Sequence, residues 1–406
     1  MSSMASVLTR RRLLGAAGGS LLGAFLLGPR VGGSDHVDPD LESGWRQPRT
    51  DARNVARTAD PGPGSDGRIG WDHSLDSHRR FEHAGLALVD GTLLVPTHRS
   101  LRAIDVESGA ERWRYAYRDL PVGPFDRPQL ETEPRIRDGV VYLAFQADIC
   151  ALELDSQRLR WRYSLGGSVD GLHLFGNTAY VTGNLDGEDR LLALDANTGL
   201  ERWRKTGRVI PLAARSGLLV GARYESGRLL GLEPETGTRR WLSDAAIGAS
   251  SLNRGLVAAV DDLVVGIESN GDLTALEADT GERRWTVFDD VGDPNTYRRS
   301  VAVDPSERAI YRSRPDAGTI SRIDFADDEE WRTDESALEF GVSVGGGTVY
   351  ASTTDGLLAL EADAGDERFR VSIDPDGTDP LGGTPLIAGD RVYHLLGETV
   401  YEVTPR

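Results

Sequence analysis

The sequence predicts an all-β protein built from repeated units, on the spacing of its tryptophans and the constant context around them. The chain has 406 residues and eight tryptophans. From Trp71 onward they recur at intervals of 38 to 48 residues, and a further interval of 38 residues reaches Phe369. A period of about 43 residues indicates an internal repeat, which has to be recognised before single elements are assigned. The marker residues of the repeat are Trp71, Trp113, Trp161, Trp203, Trp241, Trp285, Trp331 and Phe369.

Two further positions of the repeat are nearly as constant as the aromatic one. A small residue stands ten positions before each of the seven internal aromatic residues, at Ala103, Ala151, Ala193, Gly231, Ala275, Ser321 and Ala359. A glycine stands four positions before five of them, at Gly109, Gly199, Gly237, Gly281 and Gly365. An acidic residue precedes the aromatic residue by eight positions in six copies. Acidic residues and glycine within a few positions favour a tight turn, because both are suited to turn backbone.

The segment 191–203 shows how one repeat forms hairpins. Its apolar start at 191–194 leads into Asp-Ala-Asn-Thr-Gly, and the next strand carries Trp203. A second hairpin precedes each of these, for example over 134–143, where Asp138-Gly139 forms the turn. Four short strands in every 40 to 50 residues are typical of one blade of a β-propeller.

The motif resembles the tryptophan-docking repeat of the propellers of pyrroloquinoline quinone (PQQ) type, over about residues 68–406. That family includes the quinoprotein dehydrogenases and the outer-membrane assembly lipoproteins of the BamB type. The resemblance implies that each indole packs between the small residue of its own blade and the turn glycine of a neighbouring blade. The main alternative, the WD40 repeat, has aspartate after the tryptophan. Only Trp71-Asp72 matches it in this chain.

Counting strands predicts an eight-bladed ring. Seven complete units end at the aromatic residues from Trp113 to Phe369, and three more strands are expected at 384–387, 392–396 and 400–403. Residues 68–75 have the sequence of a fourth strand but no preceding hairpin. We expect this segment to pair with the C-terminal strands as the eighth blade, since that pairing removes the exposed edges of an open ring.

Residues 1–33 are expected to be an export signal or an anchor. They contain four arginines and no acidic residue, and an apolar run at 13–27 follows three of the arginines. The stretch 9–14, Thr-Arg-Arg-Arg-Leu-Leu, resembles a twin-arginine signal, which implies export of a folded protein. An ordinary signal or a short membrane anchor is the alternative. Residues 34–67 are interpreted as a linker or extended arm along the propeller surface, which leaves 68–406 as the propeller domain.

Charge and composition exclude several classes of protein. The formal net charge is −18, and Lys205 is the only lysine. A nucleic-acid partner is not expected, because phosphate contacts need concentrated basic residues. Cys150 is the only cysteine, so an intramolecular disulfide and a cysteine-based zinc site are excluded. The acid-rich, nearly lysine-free composition resembles that of haloarchaeal proteins, whose carboxylate surfaces stay soluble in strong salt.

The family resemblance also brings catalysis into question. It implies that enzymatic members hold the quinone over a pair of adjacent cysteines, beside a calcium ion and a catalytic aspartate. This chain has no cysteine pair and is much shorter than those enzymes. We therefore expect a protein that is not an enzyme, with no catalytic residue, no metal site and no cofactor. PQQ with calcium is the less favoured alternative.

The favoured function is a binding scaffold. Polar residues are expected at the channel, so that a ligand has room to bind, and they are Glu131, Glu133, Arg135, Arg137, His173, Arg298, Arg299 and Glu339. The loops 115–130 and 287–299 are the expected contact surfaces, because function concentrates on loops held by a rigid scaffold. The sequence thus predicts a monomeric, exported or surface-tethered propeller that binds protein partners at the cell envelope and meets the membrane only through residues 1–33. A small quinoprotein dehydrogenase, or a ligand-binding or sensor propeller, is the alternative.

Overall fold

The computed structural model shows an all-β chain. It describes residues 49, 51–75, 85–97, 99–120, 130–247, 257–288, 300–315, 317–335, 341–374 and 382–406. Within these ranges the regular structure consists of strands and one 3₁₀ turn at Tyr117–Asp119. No helix in the described part of the chain is long and apolar enough to cross a membrane.

The strands form eight sheets, the predicted blades, each with four antiparallel strands; the sheet of blade 7 gains β1 as a fifth, parallel strand. The first two strands of the chain, β1 (Arg57–Thr58) and β2 (Gly67–Ser74), join blades that form later. Blade 1 contains β3 (Ala87–Val89), β4 (Thr92–Pro96), β5 (Ser100–Asp105) and β6 (Glu111–Ala116). Blade 2 contains β7 (Arg135–Arg137), β8 (Val140–Ala144), β9 (Asp148–Glu153) and β10 (Leu159–Ser164). Blade 3 contains β11 (Gly166–Phe175), β12 (Thr178–Leu185), β13 (Glu188–Asp195) and β14 (Glu201–Thr206). Blade 4 contains β15 (Val209–Arg215), β16 (Leu218–Arg223), β17 (Arg228–Leu232) and β18 (Arg239–Ala246).

The second half of the ring repeats the same plan. Blade 5 contains β19 (Val257–Val260), β20 (Leu263–Ile267), β21 (Leu273–Glu277) and β22 (Arg283–Val287). Blade 6 contains β23 (Ser300–Asp304), β24 (Ala309–Arg314), β25 (Thr319–Asp324) and β26 (Glu329–Thr333). Blade 7 contains β27 (Val342–Gly345), β28 (Thr348–Thr353), β29 (Gly356–Glu361) and β30 (Glu367–Ser372). Blade 8 contains β31 (Leu386–Ala388), β32 (Arg391–Leu396), β33 (Thr399–Pro405) and, as its outer strand, β2.

Burial within a blade falls from the inner strands to the outer strand. In blade 5, β20 is buried along its whole length, whereas no residue of the outer strand β22 is fully buried. Strands covered on both faces become continuous apolar runs, and this explains sequences such as Leu-Val-Val-Gly-Ile in β20. The core therefore lies between neighbouring blades, as where Tyr142 and Ala151 of blade 2 pack with Leu172 and Val181 of blade 3.

The predicted closure of the ring is confirmed. Strand β2 pairs antiparallel with β33, from Gly67 opposite Pro405 to Ser74 opposite Thr399. Phe369 of blade 7 and Leu93 of blade 1 belong to the same apolar cluster as the inner residues of blade 8. The N-terminal strand thus completes the last blade, and the ring has no unpaired blade edge at the junction.

The sequence suggested an extended arm along the propeller surface, and the described part of it lies against the inner strands. Strand β1 pairs parallel with the innermost strand of blade 7, β27, on the edge that faces the channel. Val55 and Ala56, just before β1, have 0% of their surface exposed. The described part of the arm therefore lies on the channel side of the inner strands; Trp45 and the other residues before 49 are outside the described chain.

Candidate functional site

The repeat aromatic residues face the small residues of their own blades. Six of them lie directly across the sheet from the small position, as Ala103–Trp113, Ala151–Trp161, Ala193–Trp203, Gly231–Trp241, Ala275–Trp285 and Ala359–Phe369. Two blades differ. Trp331 lies across from Arg322, one residue beyond Ser321, and Trp71 lies across from Glu402.

Six of the seven repeat indoles also reach the next blade. The indole nitrogen donates a hydrogen bond of 2.8 to 3.0 Å to a main-chain carbonyl there, as Trp71–Val106, Trp161–Ala196, Trp203–Pro234, Trp241–Ala278, Trp285–Phe325 and Trp331–Ala362. These six bonds are the same bond repeated around the ring, because each carbonyl belongs to the turn between the third and fourth strands of the following blade. The bond joins two blades at a fixed spacing.

The turn glycines lie against these indoles. A β-carbon added to Gly109, Gly199, Gly237, Gly281 or Gly365 would come within 2.5 to 2.7 Å of the tryptophan of the preceding blade. Their φ angles lie between 65° and 75°, the left-handed region that favours glycine. Gln157 and Asp327 hold the same turn position in blades 2 and 6 and also have positive φ, at 55° and 83°. Close approach and backbone conformation both select glycine at this position.

Tyrosines on the second strand of several blades belong to the same contact, and the sequence analysis missed them. The rings of Tyr142 and Tyr180 lie 5.9 Å from those of Trp161 and Trp203. The Tyr142 hydroxyl donates to the carbonyl of Ala196, which also accepts from Trp161. Burial raises the pKa of Tyr142 to about 12, so its hydroxyl keeps its proton. A tyrosine about 20 residues before the aromatic marker was the available sequence signal.

The arm is bound to the channel blade by blade. Amides of the inner strands donate to its carbonyls at 2.8 to 3.0 Å, as Ala214 to Ala52, Ala259 to Arg53, Val303 to Val55 and Val344 to Ala56. The four amides belong to blades 4, 5, 6 and 7, and each stands one residue before the end of its strand. Gly62 then donates to Gly389 of blade 8 at 3.0 Å. The arm thus satisfies backbone groups that would otherwise face the channel unpaired.

Three arm residues hold a left-handed backbone without being glycine. They are Arg49, Asn54 and Ala56, with φ of 68°, 64° and 52°. Such conformations cost roughly 1 to 3 kcal/mol each and persist only where the surroundings fix them. The Asn54 amide donates to the carbonyl of Val257 at 2.7 Å, which fixes the middle of this segment.

A cluster of charged and polar residues lies under the start of the arm. His173 is buried, and its Nε2 lies 2.9 Å from the Ala52 carbonyl. Because a carbonyl only accepts, Nε2 carries the proton, and burial together with nearby Arg135 lowers the pKa of His173 to about 3. Burial raises the pKa of Glu133 to about 7, although Arg135 and Arg49 oppose this. The channel therefore holds a neutral imidazole and a carboxyl group that titrates near neutral pH.

Arg49 is the most enclosed cation of this cluster. Its side chain is 4% exposed, and its Nε donates to the Asn54 carbonyl at 3.4 Å. The two terminal nitrogens have no hydrogen-bond partner within the described chain. Burial lowers the pKa of Arg49 to about 10, and Glu133 opposes that shift.

The structure does not bring all of the predicted channel residues together. Arg137 lies 3.1 Å from Asp138 at the end of β7. Arg298, Arg299 and Glu339 are outside the described chain, as are 121–129 and 289–299, most of the two loops expected to make contacts. Tyr117, in the first of these loops, is fully buried and packs against Phe145 at 5.2 Å, while Arg118 next to it is exposed.

Together, eight blades, docked tryptophans and inter-blade indole bonds define a propeller built from PQQ-type repeats. A family model described as "Outer membrane protein assembly factor BamB" matches residues 53–164, 146–288 and 316–404. The chain belongs to this family.

Individual relatives match smaller parts of the chain. BamB of Burkholderia pseudomallei is 25% identical over 146 residues, which are 36% of this chain and 35% of that protein. The serine/threonine-protein kinase AfsK of Streptomyces griseus is 32% identical over 125 residues, which are 30% of this chain and 15% of the kinase. The matched segments thus span about a third or less of the curated relatives, and these relatives suggest no activity for the whole chain.

Solved structures resemble the chain over a greater length. A europium-containing methanol dehydrogenase matches 90% of this chain and 99% of its own chain, at 13% sequence identity and a TM-score of 0.68. Quinohemoprotein alcohol dehydrogenase from Comamonas testosteroni matches 89% of this chain and 80% of its own, at 14% identity and a TM-score of 0.66. BamB from Moraxella catarrhalis matches 72% of this chain and 98% of its own, at 18% identity and a TM-score of 0.51. At these identities the likeness shows the fold.

The expectation that the chain is not an enzyme is wrong, because the fold does not exclude an enzymatic role. The dehydrogenases share nearly the whole fold of this chain, so neither the propeller nor the length of the domain argues against an enzymatic role. The expectation relied on the missing cysteine pair and on chain length, and a shared fold of this extent removes the second argument.

The described residues can still be compared with what a quinone and calcium would need. Cys150 is fully buried among Leu101, Leu143 and Leu152, and burial raises its pKa to about 12. Within the described ranges no group of three or more His, Cys, Asp or Glu side chains is arranged to hold a metal ion. Cys150 therefore does not supply the exposed cysteine pair that the family resemblance implies beneath the quinone.

Proposed function

We propose that this chain is an exported propeller that serves as a protein-interaction scaffold at the cell envelope. The observation that carries the proposal is the match of the BamB family model to three segments between residues 53 and 404. Relatives that match at 25 to 33% identity are named outer membrane protein assembly factors. The proposal transfers only the scaffold role to this chain, without the outer membrane.

Export and a salt-rich environment are parts of the same proposal. The arginine-rich start of the chain, Arg10-Arg11-Arg12 before an apolar run, supports export in a folded state. The net charge of −18 and the single lysine support a haloarchaeal or similar salt-adapted source. Residues 34–48 would then join the signal or anchor to the arm that enters the channel.

The arm helps to decide which surfaces are available to a partner. Because its backbone occupies the channel-facing edges of blades 4 to 7, a protein partner would bind at one of the two ring faces or at the rim. One face carries the turns between first and second strands and between third and fourth strands. The other carries the connections between blades, including the loops 115–130 and 287–299, and we propose this second face as the contact surface.

Photo-crosslinking in the native cell tests this assignment. A photo-reactive residue replaces Arg118, which is 81% exposed on the second face, and a matched control replaces Leu200, which is 69% exposed at a turn of the opposite face. We expect a defined envelope protein to be captured from position 118 and not from position 200. Equal capture from both positions, or none from either, would contradict the proposed surface.

Replacement of Arg10 and Arg11 by lysine should retain the protein in the cytoplasm.

A ligand-dependent or enzymatic propeller is the second candidate. The fold shared with the methanol and alcohol dehydrogenases favours it, as does the similarity to part of a protein kinase, which suits a sensor domain. The test is reconstitution of the full chain with PQQ and Ca²⁺, followed by desalting, a spectrum and a dye-linked alcohol assay. Retained quinone absorbance with dye reduction would support the enzyme, whereas loss of all quinone on desalting would count against it.

A further inference from the structure

A cavity of about 410 Å³ lies between blades 3 and 4. It is lined by Leu191 of β13 and by Leu230 and Leu232 of β17, which are almost completely buried. It is also lined by three exposed cations: Lys205 on the outer strand of blade 3, Arg239 on the outer strand of blade 4, and Arg223 at the end of β16. The cavity thus combines an apolar floor with a basic rim.

Many basic residues of the outer strands are paired with acidic residues. Arg112, Arg202 and Arg284 each form an ion pair with an acidic residue of their own blade at 2.5 to 2.7 Å. Lys205, Arg223 and Arg239 have no acidic side chain within 4.0 Å anywhere in the described ranges.

The repeat itself shows that the charge at one of these positions is reversed. Arg239 stands two residues before its tryptophan. Four other repeats have an acidic residue at that position, namely Glu111, Glu201, Glu329 and Glu367. Lys205 is also the only lysine of a chain whose net charge is −18. Three cations without an acidic partner therefore line one cavity of a strongly acidic chain.

The remaining polar side chains of the cavity leave this charge unbalanced. Arg208 is already neutralised, because its guanidinium binds Asp170 through two hydrogen bonds of 2.8 and 2.5 Å. It also stacks on the ring of Tyr224, 3.6 Å from the ring centre, so it forms a fixed wall. Glu225 is the one acidic residue that lines the cavity.

We propose that this cleft binds a small organic phosphate, with the phosphate between Lys205, Arg223 and Arg239 and an apolar body on the leucines. Guanidinium groups bind phosphate oxygens in pairs and a lysine adds a point charge, so three cations suit a dianionic group better than a single carboxylate. The floor of buried leucines favours a ligand with a compact apolar part. The cleft is lined by Thr206, Gly207 and Arg208, at the connection between blades 3 and 4, so it borders the proposed partner surface, but its ligand does not depend on the scaffold role.

Calorimetric titration of the full chain with phenyl phosphate tests the proposal. Three proteins are compared: wild type, the cleft variant Lys205→Gln/Arg223→Gln/Arg239→Gln, and a control with the same charge change on exposed arginines elsewhere, Arg68→Gln/Arg99→Gln/Arg158→Gln. We expect the cleft variant to bind phenyl phosphate at least tenfold more weakly than wild type, and the control to bind as wild type does. Inorganic phosphate should bind wild type more weakly than phenyl phosphate does, and benzyl alcohol should not bind.

Co-sedimentation with vesicles separates the two sources of such a phosphate. Vesicles of phosphatidylcholine with and without phosphatidylglycerol are added to the same three proteins. Binding to phosphatidylglycerol vesicles that only the cleft variant loses would identify the ligand as a lipid headgroup. Binding of phenyl phosphate by a protein that does not bind these vesicles would identify a soluble ligand. Equal affinity of the cleft variant and the control for phenyl phosphate, or no binding of it to wild type, would overturn the proposal. Inorganic phosphate that binds as tightly as phenyl phosphate would overturn the apolar part of the site.

Discussion

The docked aromatic residues and the arm in the channel join the blades in opposite ways. Around the ring, a side chain makes the contact: the Trp161 indole donates to the Ala196 carbonyl of the next blade at 2.8 Å. In the channel, the backbone makes it: the Val55 carbonyl accepts from Val303 at 2.8 Å, whatever side chain residue 55 carries. The tryptophan contacts fix the distance between neighbouring blades. The arm contacts instead join the inner strands of blades 4 to 7, which lie far from the arm in sequence.

This difference predicts where substitutions should matter. A docked indole is large, nearly buried and hydrogen-bonded, so its removal should lower the free energy of unfolding strongly at a single site. The arm spreads its contacts over several carbonyls, so each arm side chain should contribute less. Loss of an arm side chain should instead show as faster exchange of the amides that the arm covers.

The largest expected effect is that of Trp161→Ala. The indole is 8% exposed, packs with Tyr142 and Leu172 and bonds to Ala196. Its removal leaves a cavity and takes away one of the two hydrogen bonds that the Ala196 carbonyl accepts, and we expect the free energy of unfolding to fall by about 3 to 5 kcal/mol. Urea unfolding followed by circular dichroism measures this difference.

The control for that variant is Leu200→Ala, in the turn of the following repeat hairpin. Leu200 is 69% exposed, so its truncation should leave the unfolding midpoint unchanged. If Trp161→Ala unfolded at the same urea concentration as Leu200→Ala, the indole would not be the contact that spaces the blades.

A smaller effect is expected for Val55→Ala in the arm. Val55 is fully buried against Val301, Val303 and Ala258, and the substitution removes two methyl groups, at a cost of about 2 kcal/mol. Hydrogen exchange followed by mass spectrometry should show faster exchange in 300–304 and 342–345, whose amides bond to the arm. Ser65→Ala, at an exposed position near the end of the same arm, is the matched control. Unchanged exchange in Val55→Ala would mean that the arm is held without this side chain.

Acid should destabilise the channel through His173. Its pKa in the folded protein is about 3, below the ordinary value of 6.5, so the unfolded chain binds the extra proton first. The stability that the neutral imidazole contributes is full above pH 6.5 and is lost as the pH falls toward 3. At pH 5 the loss relative to neutral pH is about 2 kcal/mol. Urea unfolding of wild type and His173→Gln at pH 7.5 and pH 5 should show the difference between them shrinking by that amount.

Glu133 has the opposite dependence and has to be separated from His173. Its pKa is raised from 4.5 to about 7, so its contribution is full below pH 4.5 and is lost as the pH rises through 7. Because Glu133 is present in both proteins, comparing wild type with His173→Gln removes its effect to first order. A difference that stays constant between pH 7.5 and pH 5 would show that folding does not lower the pKa of His173.

The repeat could be predicted from sequence because its geometry selects residue types. Gly109 must be glycine, since a β-carbon would strike Trp71 and the φ of 69° is left-handed. The turn glycine recurs in five blades and becomes visible as spacing, so the blade number and the pairing of β2 with β33 could be predicted from the sequence. The register at Ser321 could not be predicted, because the hairpin of blade 6 is one residue shorter: Ile323 pairs with Glu329, whereas the equivalent residue of blade 1, Ile104, pairs with Glu111.

The arm and the cleft were beyond the reach of the same reasoning. The arm binds through main-chain carbonyls of Ala52, Arg53 and Val55, and such bonds impose little on residue type, so its composition suggested only a surface linker. The cleft arises from Lys205 and Arg239, which are 34 positions apart in sequence and meet only because blades 3 and 4 stack. Neither feature repeats along the chain, and a search for periodicity does not find it.

The smallest expected effect concerns the charges on the outer strands. Glu201 forms two hydrogen bonds of 2.6 Å with Arg204 on the rim of blade 3, next to Trp203. Arg204 is half exposed, so water screens the pair and both side chains lose freedom; Glu201 also accepts from Tyr163 of blade 2 at 3.1 Å, a bond that a glutamine can keep. We expect Glu201→Gln to leave the urea midpoint unchanged within error, in contrast to the neighbouring indole. A clear loss of stability would mean that the ion pairs beside the tryptophans help to join the blades, and the contrast between ring and arm would then rest on charge as well as on docking.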